Sequence, residues 1–546
     1  MKQYFKYILG MAAVIGIATI TSCKKEFFNR PPDAGITVGS YYQTAQQVQT
    51  STNTLYGSPW FGWNNKAGWS ITELASGNGR TYSSDVVAFF NFSVGNTNPE
   101  ILAAWDSPFT VVAQCNGILN NLPTSVPASV PTATVNNALG EAHLMRAAAY
   151  FYLVRVFGNV PIIENPLVHT GDFGTVPCNP VSDVYKFIIR DLQFAETNCS
   201  TNVATTGHGS SGSASALLAK VYLYMQDYTN ARKEAEKVIA SGEFTLLPNF
   251  SDLFLTANNN NKESILAMQW IFNGGYDFGN SIQASWAYSS TITTTGDGYG
   301  VMGPTFDLQN AFKAEGGDTT RRHATIMLPG SKYTELNQGG AGPYIFPLNG
   351  SEAGTHAACK KYVVGSPQDN GGKSAAQASG NNTYIMRYAD VLLIEAEAIM
   401  GQQAAVGPSK GIDTGYTSTD ATALKYLNMV RNRAGALTIT SFSYKDLLRE
   451  RRLEFALEQD YWFDLGRIDG FNAMAHPEPA SHPVATNIIK NQERGDSSGG
   501  TAAAGYRDYT IYSVKITPTY FWFPVPINEV TADPNLVKAP VPYVFK

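Results

Sequence analysis

Three of the chain's eight tryptophans stand within ten residues, in the stretch WFGWNNKAGW from Trp60 to Trp69. An indole offers a flat surface for apolar C–H faces, and Asn64 beside it can both donate and accept hydrogen bonds. Followed to Tyr82, the segment adds Asn78 and Arg80. A second segment, NGGYDFGNSIQASWAYSSTITTTGDGYG over 273–300, repeats the mixture with Tyr276, Asn280, Gln283, Trp286, Tyr288 and Tyr299. Rings set among neutral amides suit a ligand with many hydroxyls and apolar faces, which is the surface of a neutral sugar. Gly62, Gly68 and the Asn64-Asn65 pair predict neither a helix nor a regular strand over 60–69, so the rings would be presented on a loop. The expected aromatic platform is Trp60, Trp63, Trp69, Tyr82, Trp286, Tyr288 and Tyr299. Its expected polar partners are Asn64, Asn78, Arg80, Asn280 and Gln283. Tryptophans in long loops also pin those loops to a scaffold, and burial separates the two roles. Trp105, Trp270, Trp462 and Trp522 lie in patterned stretches and are expected in the core.

Other chemistries find less support. Glycoside hydrolysis needs an acid and a base or nucleophile flanking the scissile bond. Glu73, Asp277 and Asp297 lie near the aromatic segments, but no motif pairs them, and no catalytic residue is assigned. His476 and His482 sit in a Pro-rich stretch without the helical spacing of a zinc enzyme, so no metal and no cofactor is expected. Cys115, Cys178, Cys199 and Cys359 lack CxxC spacing; export would permit a Cys178–Cys199 disulfide without establishing it. The run Arg449-Glu450-Arg451-Arg452, with Glu454 and Glu458, is expected to make ion pairs on a helix face. Asp464 and Arg467 have the i,i+3 spacing of a pair.

These residues need elements to hold them. "GEAHLMRAAAYFYLVRVFGNVP" (140–161) places Leu144, Ala148, Phe151 and Val154 on one helical stripe, ended by Gly158 and Pro161. "VSDVYKFIIRDLQFAE" (181–196) predicts another helix. In 215–244, Ala219, Tyr222, Ala231 and Ala235 stand at tetratricopeptide spacings, small where two helices approach and aromatic where they diverge. A similar unit recurs, interrupted, at 388–400 and 421–435, and 444–467 adds a long helix. Residues 197–214, 273–304, 365–383 and 470–510 are rich in Gly, Ser, Thr and Asn and read as loops. The expected fold is mainly α: a TPR-like helical-hairpin scaffold with long irregular insertions and little β.

The first residues have a different task. Lys2 and Lys6 precede a mostly apolar run, Ile8 to Ile20, shorter than the ~20 residues that span a bilayer. This is the pattern of a secretory signal peptide, 1–22. ITSC (Ile20 to Cys23) resembles a bacterial lipobox, with Cys23 lipidated after cleavage and 23–40 a tethered linker. About 520 residues remain, ample for a large core. Net charge is −5 and charged residues are 15% of the chain, which gives no electrostatic case for nucleic acid. Aromatic residues at 12% fit a weakly charged surface that meets neutral ligands.

The lipobox and seven later stretches, in order, resemble the SusD/RagB family. They are RAAAYFYLVRVFGNVP, SGEFTLLPNFSDLF, RYADVLLIEAEAIM, LNMVRNRAG, RERRLEFAL, WFDLGR and the terminal FPVPINEV…NLV. Asn159 replaces the family's usual Asp, Gln459-Asp460-Tyr461 replaces a Gly-containing turn, and the C-terminus lacks the usual Asn-Pro-Gly-Tyr. The resemblance implies a SusD-like α-α superhelix with an N-terminal TPR-containing region at 41–256 and a loop-rich ligand face within 257–546. It also implies a lipoprotein of the outer-membrane surface, held to the membrane by its anchor only. Such a protein captures oligosaccharide or polysaccharide and delivers it to a SusC-like TonB-dependent β-barrel. A peptide or other nutrient as ligand, a secreted glycoside hydrolase and a pure interaction scaffold are the alternatives.

Overall fold

A computed structural model describes residues 41–166, 175–201, 206–316, 318–404, 415–477, 481–496, 516 and 518–545. The expected signal peptide, Cys23 and the linker lie outside the described residues.

Side-chain caps and glycine stops set the helix limits. Asn98 accepts from the Glu100 N–H and Pro99 opens α1, Pro99–Ser125. The next helix, α2 (Thr132–Phe157), stops at Gly158, whose φ of +70° and close approach to the Trp522 ring exclude a side chain. Asn159 accepts from the Val181 N–H at the start of α3 (Val181–Asn198). A Ser210/Ser213 capping box starts α4 (Ser211–Tyr224), and Asp227 caps α5 (Tyr228–Ser241). After a long insertion come α6 (Tyr388–Gln403), α7 (Ala421–Ala434), α8 (Tyr444–Phe455) and α9 (Tyr461–Arg467).

From α1 to α7 each helix packs on the next, and α6 continues the stack directly on α5 although the insertion separates them. Ala219, Ala231 and Ala235 are fully buried where α4 meets its neighbours, as their spacing predicts. Gly401 lets the Tyr228 ring lie against α6, since a Cβ there would stand 2.5 Å from it. The insertion is closed at its base by β1 (Ser264–Met268) pairing antiparallel with β2 (Thr383–Arg387). The remaining described strands are two-residue ladders, so the architecture is a mainly helical stack with a loop-rich insertion.

Two expectations need correction: 444–467 is not one long helix but α8 and α9, separated at 456–460 where Leu457 and Gln459 take positive φ, and 60–69 is not a loop. Residues 60–69 are helical: a 3₁₀ turn at Ser58–Trp60 leads into π-helical turns at Trp63–Ala67 and Ser70–Leu74. Gly62 and Gly68 have helical φ values of −57° and −59°. They answer to crowding instead: a Cβ on Gly62 would stand 3.2 Å from Ser107 of α1, and one on Gly68 would stand 2.2 Å from Gln459. The permitted Cys178–Cys199 bond is not formed, and Cys115, Cys178, Cys199 and Cys359 are all free and buried.

The charged run at 449–458 does form ion pairs; Arg449 makes a surface pair with Asp446 on its own helix, but those of Glu450, Arg451, Glu454 and Glu458 are buried and reach across elements. Arg451 meets Asp390 at 2.7 Å and Asp464 at 2.9 Å. Glu450 bridges Arg321 (2.7 Å) and Arg431 (2.6 Å), while Glu454 pairs with Arg321, Arg387 and Arg433. Glu458 takes Lys361 at 2.9 Å and Arg387 at 2.7 Å. The expected Asp464–Arg467 pair is present at 2.9 Å.

Candidate functional site

The helical course of 58–74 decides what its side chains do. Trp60, Trp63 and Trp69 turn inward, and with Trp286 they are completely buried. Trp60 donates to the Leu55 carbonyl and lies edge-on to Tyr152. Trp63 lies parallel to Phe463 at 6.4 Å, and Trp69 meets Trp286 edge-on at 6.2 Å. Four rings expected to carry ligand are therefore core residues. Burying each removes a large apolar area from water.

The expected polar partners are closed off as well, each by bonds within the protein. Asn64 donates to Asn280 at 3.1 Å and accepts from the Thr383 hydroxyl at 2.7 Å. Asn280 also donates to the Asn381 carbonyl, and Gln283 accepts from Val364 and Gly365 N–H groups at 2.6 and 2.9 Å. Asn78 donates to Glu73 and accepts from Arg452. Arg80 donates to Asp496 at 2.8 Å. All five are buried, so they tie the first segment to the second and to the scaffold and do not face ligand.

What remains on the surface is the tyrosines. Tyr82 is 53% exposed, Tyr299 is 56% exposed, and Tyr288 is half-buried. Among the described residues five aromatic side chains are exposed: these two, Tyr276, Phe278 and Phe545. Four of the five belong to the two segments singled out by composition.

A short ladder brings the backbone before Tyr82 to Val301, two residues from Tyr299. Gly79–Arg80 pairs with Gly303–Pro304, and the Thr81 hydroxyl donates to the Val301 carbonyl at 2.6 Å. The Tyr299 and Val301 N–H groups donate back to Ala284 and Ser285, on the short helix Ile282–Trp286. Tyr82 is fixed from below: the Arg80 guanidinium lies 4.3 Å from its ring centre, and its hydroxyl donates to Asp496 at 2.9 Å. Tyr288 rests edge-on against Phe346 at 4.9 Å. Beside them the Glu352 carboxylate covers Gly300, where a Cβ would stand 2.1 Å from its oxygen. Burial pushes the Glu352 carboxyl up to about 7. The arrangement is two open rings and a half-open one on anchored backbone, rimmed by carboxylates.

From this group the surface runs along the outer edge of the 58–74 helix. The Ser83 hydroxyl donates to Asp85, and Asp85 pairs with Lys66 at 2.5 Å. The adjacent Asn65 donates to the Tyr276 hydroxyl at 3.1 Å and accepts from Ser281 at 2.8 Å. Phe278, Lys66, Asp85 and Glu352 were not singled out from the sequence. Tyr276-Asp277-Phe278 after Gly274-Gly275 was the available signal for Phe278; nothing local distinguished the other three.

The carboxylates named for hydrolysis do not form a paired site. Glu73 is sealed in the core, accepting from Asn78 and from the Leu457 and Gln459 N–H groups. Burial lifts its carboxyl to about 7 against those bonds. Asp297 is buried and accepts from Thr295 and the Gln377 N–H, while Asp277 is exposed. Among the described residues no three His, Cys, Asp or Glu side chains are grouped to hold a metal ion. His482 stacks on Phe521 at 4.3 Å, and burial holds its ring down at about 4.

Comparison with known proteins gives concordant matches. A model of the SusD family matches residues 262–541, and one described as "starch-binding associating with outer membrane" matches 43–223. A SusD-like protein of Bacteroides ovatus is 31% identical over 100% of both chains. SusD-like protein P2 of Formosa agariphila is 27% identical over 71% of this chain and 75% of its own. Among solved structures, one determined with xylogluco-oligosaccharide is 30% identical with a TM-score of 0.78, covering 91% of this chain and 99% of that one. A laminarin-binding SusD-like protein shares the fold at 23% identity and a TM-score of 0.67, covering 91% of this chain and 99% of its own.

Proposed function

This chain belongs to the SusD family, and from that premise we propose that it binds neutral glycan on the surface formed by Tyr82, Tyr288 and Tyr299. The observation that carries this reading is the distribution of open rings. Nearly every exposed aromatic side chain among the described residues lies in these two segments, each on hydrogen-bonded backbone. Open rings offer stacking surface to the C–H faces of a sugar, and the half-buried polar groups between them offer hydrogen bonds to its hydroxyls. The relative solved with xylogluco-oligosaccharide supports a glycan as ligand class. The alternative of hydrolysis draws no support from the site, where Glu73 is enclosed. We assign no catalysis and no cofactor.

The finer parts of the proposal follow the family. Cys23 carries the lipid anchor at the outer-membrane surface, and the helical stack docks on a SusC-like TonB-dependent barrel that receives the glycan. No helix among the described residues is long and apolar enough to cross a membrane. Affinity electrophoresis through gels containing xyloglucan or laminarin tests the binding. The wild type should be retarded, and Tyr82→Ala and Tyr299→Ala should move more freely. Unretarded wild-type migration in every neutral polysaccharide, or release of new reducing ends from one, would overturn the reading.

A further inference from the structure

We infer that a cavity at the start of α4, apart from the tyrosine surface, binds a free amino acid through Glu243 and Lys262. The site goes beyond the glycan reading and does not rest on it.

The cavity has a volume of about 420 Å³ and is bounded by the first turn of α4, by β1 and by residues 243–244 and 260–262. That size falls within the ~300–1,000 Å³ of small-molecule sites. None of its lining residues belongs to the tyrosine group. Phe244, with Ile265 to Ala267 of β1, gives it an apolar wall. Two of its neutral polar side chains are occupied within the protein. The Ser213 hydroxyl donates to the Ile265 carbonyl at 2.8 Å, and the Asn260 and Gln269 amides exchange two hydrogen bonds of 2.9 Å.

The ionisable groups of the lining are His208, Glu243 and Lys262. His208 commits Nδ1 to Glu141 at 2.5 Å, where the Tyr56 hydroxyl also donates at 2.9 Å, so Nε2 is the ring nitrogen left for a ligand. The Glu243 carboxylate lies against the first turn of α4 because residue 212 is glycine: a Cβ there would stand 2.2 Å from its oxygen. Lys262 is exposed, and its carbonyl accepts from the Thr245 N–H at 2.9 Å, which ties the two charged segments together. Glu243 and Lys262 attract each other without forming an ion pair, and burial raises the Glu243 carboxyl against the pull of Ser210 and Lys262. A neutral sugar would leave both charges unanswered. An amino acid answers both, with its ammonium at Glu243 and its carboxylate at Lys262, each a charge-assisted contact. Nε2 of His208 can accept a further hydrogen from the ammonium.

Isothermal titration of the full chain with alanine, glutamine and phenylalanine tests this, with their N-acetyl amides as uncharged controls. At least one free amino acid should bind, and its amide, which carries neither charge, should bind at least about tenfold more weakly. Glu243→Gln and Lys262→Ala should each weaken the amino acid by about tenfold at an unchanged melting temperature and with unchanged glycan retention. Tyr299→Ala should bind it as the wild type does. The site is overturned if no amino acid binds, if the amide binds equally well, or if either charge variant binds like the wild type. Loss of amino-acid binding in Tyr299→Ala would move the ligand to the tyrosine surface and overturn it too. The amide comparison uses the wild type alone, so it decides the matter even where a variant melts early. None of these outcomes touches the glycan reading, which stands or falls on polysaccharide retention.

Discussion

Burial divides residues that the sequence presents as equals. Trp63 and Tyr299 are both aromatic residues in glycine-rich surroundings, yet one is sealed against Phe463 and the other is more than half exposed. Their alanine variants should therefore fail in different ways. Trp63→Ala removes a fully buried indole and should lower unfolding free energy by about 3–5 kcal/mol, read by chemical denaturation. Tyr299→Ala should change stability by roughly 0.5 kcal/mol or less while weakening glycan retention, read by electrophoresis. The tyrosines were legible as candidates because aromatic and amide residues concentrate in two segments. Which rings faced out was not legible, since that depends on the 58–74 backbone being helical. Gly62 and Gly68 disguised that helix: glycine reads as a loop signal, but here it admits Ser107 and Gln459 at short range.

Among elements, α8 carries the heaviest electrostatic duty. Glu454 is fully buried among Arg321, Arg387 and Arg433, and although burial alone would raise its carboxyl, those guanidinium groups hold it at about 2. A depressed folded-state value means stability that is complete above the ordinary glutamate value near 4.5 and is lost as pH falls towards 2. Glu454→Gln leaves three buried cations short of a partner and should cost about 3–5 kcal/mol at neutral pH. Its acid-unfolding midpoint should also lose part of the wild-type pH dependence between 4.5 and 2, read by circular dichroism. The helices themselves were legible, because their periodicity, caps and small-residue spacings are local. Their ion pairs were legible as pairs but not as partners: nothing near Glu450 in sequence points to Arg321.

At the scale of the molecule, two opposed groups of carboxyls set the response to pH. Burial raises Glu73, Glu100, Glu352 and Glu395 to about 7. A raised folded-state value means the unfolded chain releases its proton first, so each group lowers stability as pH rises from about 4.5 to 7. Glu454 and Asp191, both held at about 2, act below that window in the other sense. The melting temperature should peak near pH 5 and fall towards pH 8; a flat profile between pH 5 and 8 would contradict this. A net charge of −5 and a neutral ligand also predict little screening, so affinity should change by less than about twofold between 50 and 500 mM salt.

The continuation of the helical stack from α5 to α6 makes 242–387 a cassette, clasped at its root by β1 and β2. Recognition can change inside such a cassette while the supporting helices stay as they are. One condition limits the exchange. Arg321, Lys361 and Arg387 come from the cassette, whereas Glu450, Glu454 and Glu458, which they neutralise, belong to the frame. A transplanted cassette without those cations would strand Glu458, whose two partners both come from the cassette, and leave Glu450 and Glu454 only Arg431 and Arg433 of α7, however well its rings fitted a new sugar.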